Sequence, residues 1–394
     1  MKQPIKKRIA AANGITNEKQ IYTLIVDGNN LLKISSVNDK MNDRGEVYGA
    51  VMTFIRKLGS ILPHKDFDYC IVVWDGMGSG LLRWRIYEDY KANRDKHYEL
   101  FDNQTDYDKR VTETARYILK NKQKKKTVRG ETDEESLARQ KGIIQELLEE
   151  LCVRQQEFDD VEGDDIISYY VKNRRPNEKI VIMSSDRDMT QLMSENVAIW
   201  NPRLDRLIKA EDSVKELGIT HENIVLEKIL CGDASDNIKG VKGLGEQTLV
   251  KYFPEIVDNK IDLEAIVRRS KELLEERKAE KKKPLKVLEN IVNGVTDGCQ
   301  GDKLYEINRK IIDLSEPLLT DEARETLDDT AYMILDTTDR SSKNAYKIIE
   351  EYRMFDMMNE QKFGDILGPY SRIIAQEQKR FKRYEESKAN NKRN

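Results

Sequence analysis

The sequence predicts an α/β fold: a mostly parallel central sheet flanked by helices, joined to a helix–hairpin–helix subdomain and a helical C-terminal region. Three observations carry this prediction. Short apolar runs recur between Ile21 and Pro202: YTLIV (22–26), YCIVVW (69–74), KIVIM (179–183) and VAIW (197–200). They are continuous rather than alternating, as expected of strands buried on both faces. Amphipathic stretches separate them, the pattern of βα units rather than of hairpins.

Taken in order, the first run ends at Asp27 (LIVDGNN) and the second at Asp75 (VVWDG). The third ends, after two serines, at Asp186 and Asp188 (SSDRD). Ligands in open α/β sheets bind beyond the carboxyl ends of the strands, so these four carboxylates are expected at one edge. The stretch DDVEGDDIISYYV (159–171) places Glu162, Asp164 and Asp165 at the start of a helix, where the helix dipole favours negative charge. Glu162 and Asp165, three apart, can share a face. A polar, charge-dense insertion, residues 103–145, interrupts the pattern and contains KNKQKKKTVR (120–129).

The stretch GDASDNIKGVKGLGEQT (232–248) contributes Asp233 and Asp236, then a glycine-punctuated turn that reads as helix, hairpin, helix. Glycines let a backbone approach a phosphate closely, and helix N-termini bind anions without reading bases. Beyond Lys260 the chain reads as charged and helical, closing on the basic tail KRFKRYEESKANNKRN. The expected organisation is a basic extension (1–20), an α/β core (21–205) with a basic insertion at about 83–145, a helix–hairpin–helix subdomain (206–260) and a helical C-terminal region (261–394).

Composition narrows the function classes. The chain has 394 residues, 71 acids against 68 bases, and a net charge of −3. No apolar run reaches the roughly 18 residues a membrane span needs, and the N-terminus lacks the apolar segment of a secretory signal. Four isolated cysteines, without a CxxC pair, point to a reducing compartment and no zinc site. Three histidines argue against histidine-based chemistry. A cytoplasmic protein, monomeric and without a membrane partner, is expected.

So many carboxylates in one cleft need counter-charge, because close like charges resist joint ionisation. With hard oxygen donors and little Cys or His nearby, the matching cation is Mg²⁺ or Mn²⁺. Two such ions about 4 Å apart clamp the attacking and leaving oxygens of a phosphodiester. Each piece has a plainer reading. A strand-terminal Asp can be a helix cap, and the glycine turn can be a simple loop. A nucleotide-binding loop is disfavoured because GxxxxGK[ST] is absent and no strand leads in. The coincidence of placements favours the metal site.

At these residues the chain resembles the 5′-nuclease superfamily of flap endonucleases, polymerase I 5′-nuclease domains and phage 5′-exonucleases. The motifs LIVDGNN, NDRGEVYGA, WDG…RWRIYEDYKANR, VEGDD, SSDRDMTQL and GDASDNIKGVKGLG follow in order over residues 21 to about 256. The long helical region after the hairpin is most similar to the T-even phage RNase H type. The resemblance implies that Asp27, Asp75, Glu162, Asp164 and Asp165 serve one metal ion, and that Asp186, Asp188, Asp233 and Asp236 serve the bridging and second-metal positions. It implies that Lys91 and Arg83 approach the scissile phosphate, with Arg85 the neighbouring alternative to Arg83 and Arg94 a flanking base. It also implies that the hairpin, with Lys239, Gly240, Lys242, Gly243 and Gly245, holds duplex DNA and can bind K⁺ through backbone oxygens.

The tyrosines and bases of residues 86–129, including Lys124, Lys125 and Lys126, suit a single-stranded 5′ end threaded by stacking and backbone contact; a packed helical core is the alternative for the aromatics. The expected function is an Mg²⁺-dependent 5′→3′ exonuclease and 5′-flap endonuclease of ribonuclease H type. Its substrates would be DNA and RNA–DNA hybrids with 5′ ends or flaps, and its partners would include a sliding clamp or a single-strand DNA-binding protein. Two alternatives remain: a catalytically silent nucleic-acid scaffold and an RNA-specific endonuclease. The intact carboxylate set argues against the first and the duplex-type hairpin against the second.

Overall fold

The computed structural model describes residues 19–92, 133–296, 302–330, 332–357 and 359–391. Six strands, β1 (Ile21–Asp27), β2 (Tyr69–Val73), β3 (Arg154–Gln156), β4 (Glu178–Met183), β5 (Val197–Asn201) and β6 (Arg206–Ile208), form one sheet in the order β3-β2-β1-β4-β5-β6. All neighbours are parallel except β5 and β6. The four apolar runs are therefore strands, as their composition predicts.

Strand β1 shows why continuous apolar runs were needed. Leu24 and Val26 point into one core with helix Gly49–Ile61 and helix Asp133–Glu150, through Phe54, Leu58, Ile144 and Leu147. Ile25, on the opposite face by the period of two, joins Ile166 and Ile167 of helix Gly163–Lys172. Each such side chain, fully buried, contributes about 1.5–3 kcal/mol.

Two strands escape the sequence reading. β3 carries Arg, Gln and Gln, and it is a strand because its backbone completes β2 from Ile71 to Val73. β6 folds back antiparallel on β5 after Asp205, which takes a left-handed φ of 51°.

Register places the strand ends. Asp27 pairs with Val73 and Val26 with Met183, so β1, β2 and β4 finish together at one edge. The chain leaves β1 for β2 on one side, while β4 lies on the other. This is the topological switch where open sheets form a crevice.

Beyond the sheet, helix Ile224–Cys231, a two-stranded ribbon (Gly232–Asp233 with Ile238–Lys239) and helix Glu246–Tyr252 make the second lobe. Gly232 (φ 76°) and Gly240 press together at the ribbon: a Cβ on Gly240 would lie 2.1 Å from the Cys231 carbonyl carbon. The described residues after 260 are mostly helical and pack into the cores of the two lobes. Ile266, Leu288, Ile291 and Leu304 pack with Leu230, Val241 and Leu249 of the hairpin lobe. Ile349, Ile366 and Tyr370 return to Phe54 and Leu58 of the first lobe, and a buried Arg154–Glu377 ion pair at 2.8 Å fastens the last helix. Among the described residues no helix is long and apolar enough to cross a membrane.

Candidate active site

The edge where β1, β2 and β4 end opens into a cleft of about 500 Å³ against the hairpin lobe. Asp27, Asp75, Glu162, Asp164, Asp186, Asp188, Asp233 and Asp236 all line it, with Lys91. Of the nine carboxylates expected there, only Asp165 is missing from the walls.

The strand-terminal aspartates are caps as well as cleft walls. Asp27 Oδ1 accepts the Asn30 N–H at 2.9 Å and so opens helix Gly28–Ser35; its Oδ2 accepts the Ser184 hydroxyl at 2.9 Å. Asp186 accepts the Asp188 N–H at 2.9 Å at the start of the 3₁₀ turn Arg187–Leu192. Asp75 accepts the Gly163 N–H at 2.8 Å and the Asn29 amide at 2.5 Å. Their caps leave all three aspartates lining the cleft. Glu162 breaks this pattern: it sits at the N-cap of helix Gly163–Lys172 but makes no side-chain cap. Its carboxylate turns instead to Arg83 (2.6 Å), Tyr90 (3.0 Å) and Lys91.

Charge divides the cluster in two. One group has cations built in. Arg83 and Lys91 overcome burial and hold Glu162 down at about 2. Lys228 bridges Asp188 and Asp233, the latter at 2.6 Å, and holds Asp233 at about 2 against burial. Asp188, more deeply buried, stays raised at about 6 despite Lys228. The other group is Asp27, Asp75, Asp164 and Asp186, which among the described residues have no ion pair. Burial, then the charges of Asp75 and Asp186, push Asp27 up to about 7. Burial and then four neighbouring carboxylates, Asp27 foremost, push Asp164 well above the usual range.

Among the described residues no three carboxylates converge on one point as a finished ligand set. The donor chemistry nonetheless fits a hard divalent cation. All donors are carboxylate oxygens, and the raised protonation of Asp27, Asp164 and Asp188 comes from burial and from neighbouring carboxylates, which a cation would relieve. The asparagine and serine donors orient the carboxylates, as outer partners do at metal sites.

Arg83 stands away from where it was expected. It is 5 % exposed and does not line the cleft. Its guanidinium makes a two-point contact with Asp165 (2.5 and 3.0 Å), bonds Glu162, and gives Nε to the Ile311 carbonyl at 2.9 Å. Asp165 is 1 % exposed and faces Arg83 rather than the cleft. Their positions three and eight residues from cleft residues hid this, because helical spacing alone does not say which face meets solvent. Arg85 is exposed but also outside the cleft.

Lys91 is in the cleft, in a left-handed conformation (φ 54°), its N–H on the Asp236 carbonyl at 2.9 Å. Glu162 and then Asp236 keep its ammonium charged against burial. In the hairpin, Lys239, Lys242, Gly243 and Gly245 are exposed, and Gly243 has φ 81°. Arg94, Lys124, Lys125 and Lys126 lie outside the described residues.

The sequence reading missed Asn29, Asn30, Ser184 and Lys228. The first three stand inside motifs already singled out, but their partners lie in other motifs: Asn29 donates to Asp75, Ser184 to Asp27, and the Asn30 side chain accepts from Ser185. Lys228 carried no signal beyond its place in an amphipathic helix.

Known proteins place this architecture. Residues 22–228, more than half of the chain, match the family described as 5′-3′ exonuclease, N-terminal resolvase-like domain. A thermostable DNA polymerase I of Thermus caldophilus is 29% identical over 235 residues, 59% of this chain and 24% of the polymerase. The chain thus spans about a quarter of that relative's length. A 5′-3′ exonuclease of Aquifex aeolicus is 26% identical over 238 residues, 60% of this chain and 69% of the relative. The structure of T5 5′-exonuclease with divalent zinc ions bound is similar in fold, with a TM-score of 0.54 and 18% identity over 89% of this chain and all of that one. The family match covers more than half of the chain, and the chain belongs to the 5′-3′ exonuclease family through its N-terminal resolvase-like domain.

Proposed function

We propose that this protein is a divalent-metal-dependent 5′→3′ exonuclease and structure-specific 5′-flap endonuclease that removes RNA primers and flaps during replication. The observation that carries the proposal is the set of four carboxylates, Asp27, Asp75, Asp164 and Asp186, that have no ion pair among the described residues and face one cleft beside a glycine hairpin. Asp27, Asp75 and Asp164, with Glu162 alongside, would hold one cation. Asp186, Asp188, Asp233 and Asp236 would hold a second. Two Mg²⁺ ions, for which Mn²⁺ can substitute, would supply the Lewis acidity for phosphodiester hydrolysis.

The chain's own groups do the rest. Asn29 and Ser184 aim the carboxylates of Asp75 and Asp27. Lys91, steadied by Glu162, presents positive charge to the scissile phosphate, where it matters most as charge develops. Arg83 does not touch substrate; it holds Glu162 and Asp165 in place. The exposed Lys239 and Lys242 flank backbone N–H groups that would grip a duplex phosphate chain. The donors for a K⁺ ion would be backbone oxygens between Gly240 and Gly245. The insertion with Lys124, Lys125 and Lys126 would receive the single-stranded 5′ end. The nucleic-acid partners are DNA and RNA–DNA hybrids; a sliding clamp or single-strand DNA-binding protein would engage the surface after residue 260, with the enzyme acting as a monomer in the cytoplasm.

The test uses 5′-labelled flap, nicked and RNA-primed duplexes with Mg²⁺, Mn²⁺ or EDTA. Metal-dependent release of 5′ products is expected. Tight binding without cutting in any metal would instead establish a silent scaffold.

A further inference from the structure

The carboxylate cluster and the hairpin belong to different cores, and helix Asp302–Ile312 touches both. The helix packs Leu304 and Tyr305 into the hairpin lobe. Its Asn308, 3 % exposed, donates its side-chain amide to the carbonyls of Ile229 at 3.0 Å and Lys239 at 2.8 Å. The first carbonyl lies in the last turn of helix Ile224–Cys231, where carbonyls lack an intrahelical donor. The second belongs to the ribbon strand that leads into the glycine hairpin. One buried amide thus pins the first helix of the motif to its hairpin.

One turn further along, the same helix ends on the first lobe. Arg83 Nε donates to the Ile311 carbonyl at 2.9 Å, and the Gln191 amide to the Ile312 carbonyl at 3.2 Å. A guanidinium at a helix C-terminus also suits the helix dipole. The other end of Arg83 holds Glu162 and Asp165. Just past the helix, the Leu318 N–H donates to Asp165 at 2.9 Å. The path from hairpin carbonyl to catalytic carboxylate is therefore Lys239, Asn308, one helical turn, Ile311, Arg83, Glu162.

Other contacts join the lobes: Tyr90, buried in the hairpin-lobe core, donates its hydroxyl to Glu162 at 3.0 Å, and the Lys91 N–H donates to the Asp236 carbonyl at 2.9 Å. Lys228 with Asp188, and Arg187 with Glu227, are ion pairs on cleft-lining residues. Cations and phosphates compete for such groups when substrate binds. The Asn308 bonds are neutral amide–carbonyl bonds, that to Ile229 buried and that to Lys239 part-buried, so they offer no charge for substrate to compete for. A rigid helix transmits position where flexible side chains do not.

We propose that helix Asp302–Ile312 is a brace that sets the spacing between the hairpin and the carboxylate cluster, with Asn308 as its positioning residue. It would thereby decide which phosphodiester of a duplex-anchored strand reaches the cleft. This inference rests on the hairpin being the duplex grip. Successive phosphates of one strand advance about 3.4 Å along the helix axis, so a hairpin displaced by that much presents the next bond.

The test is Asn308→Leu, which keeps the volume and removes both donors. Cut positions on a 5′-flap duplex are mapped at nucleotide resolution under single-turnover conditions. The expected result is a spread of cuts onto neighbouring bonds, with the rate at the main site down roughly 10- to 100-fold, the scale of small misplacements in an active site. A control core variant, Ile349→Ala, loses stability elsewhere and should keep the wild-type cut position. An unchanged cut distribution in folded Asn308→Leu, or the same spread in Ile349→Ala, overturns the inference. If Asn308→Leu does not fold, Asn308→Ser, which keeps a shorter-reaching donor, is read by the same two outcomes. Wild-type protein that cuts no flap duplex would remove the functional reading, and the brace with it.

Discussion

Asp75, at the end of β2, accepts the backbone N–H of Gly163 at 2.8 Å, joining a strand end to the start of the helix that carries Asp164. The fit is close: a Cβ on Gly163 would sit 3.2 Å from Asp75 Oδ1. Two carboxylates 89 residues apart in sequence share a cleft because of this contact.

The first prediction follows from that pair. Asp75→Asn keeps the shape and an acceptor for Gly163 but removes a charge. Binding of a flap duplex should change little, while single-turnover cutting falls by roughly 10²- to 10³-fold, the scale seen when one active-site electrostatic group is lost. Near-normal cutting at saturating Mg²⁺ would falsify the assignment of Asp75.

Lys91 and Arg83 both bond Glu162 but should respond differently. Lys91→Ala removes a cleft charge while Arg83 and Tyr90 still hold Glu162. The single-turnover rate should fall far more than affinity. Equal losses in rate and affinity would make Lys91 a phosphate anchor only.

Arg83→Met should act on stability first. It strands Glu162 and Asp165, 6 % and 1 % exposed, without their guanidinium. Breaking a buried pair in this way costs about 3–5 kcal/mol, which thermal denaturation would register as a large drop in Tm. A variant with wild-type Tm and a selective loss of cutting would return Arg83 to the substrate-contacting role first expected of it.

The hairpin lysines should reveal themselves through salt. Lys239 and Lys242 are exposed, and each neutralised phosphate adds about 0.9 to the slope of log affinity against log salt. Replacing both with alanine should reduce that slope for a nicked duplex by up to about 2. An unaltered slope would place the duplex elsewhere.

Much of this site was legible in the sequence. Asp27, Asp75, Asp186 and Asp188 close apolar runs, and a parallel sheet necessarily gathers such strand ends at one edge. Glu162 and Asp164 open a helix in the same α/β order, and the glycines around Lys242 mark a tight hairpin. These are local patterns: strand period, helix start and turn chemistry are written within a few consecutive residues. Tertiary structure alone decided the rest. Arg83 meets Ile311 across 228 positions, Lys228 meets Asp188 across 40, and Asn308 meets Lys239 across 69. β3 is a strand only because β2 offers it a free edge. Arg83 serves Asp165 instead of the cleft because its helix turn is buried beneath Glu162, and no local pattern encodes burial of a charge. A charged side chain takes its role from the partner that lies within a few ångströms after the chain has packed, so motifs name the acids while the fold assigns their counter-charges.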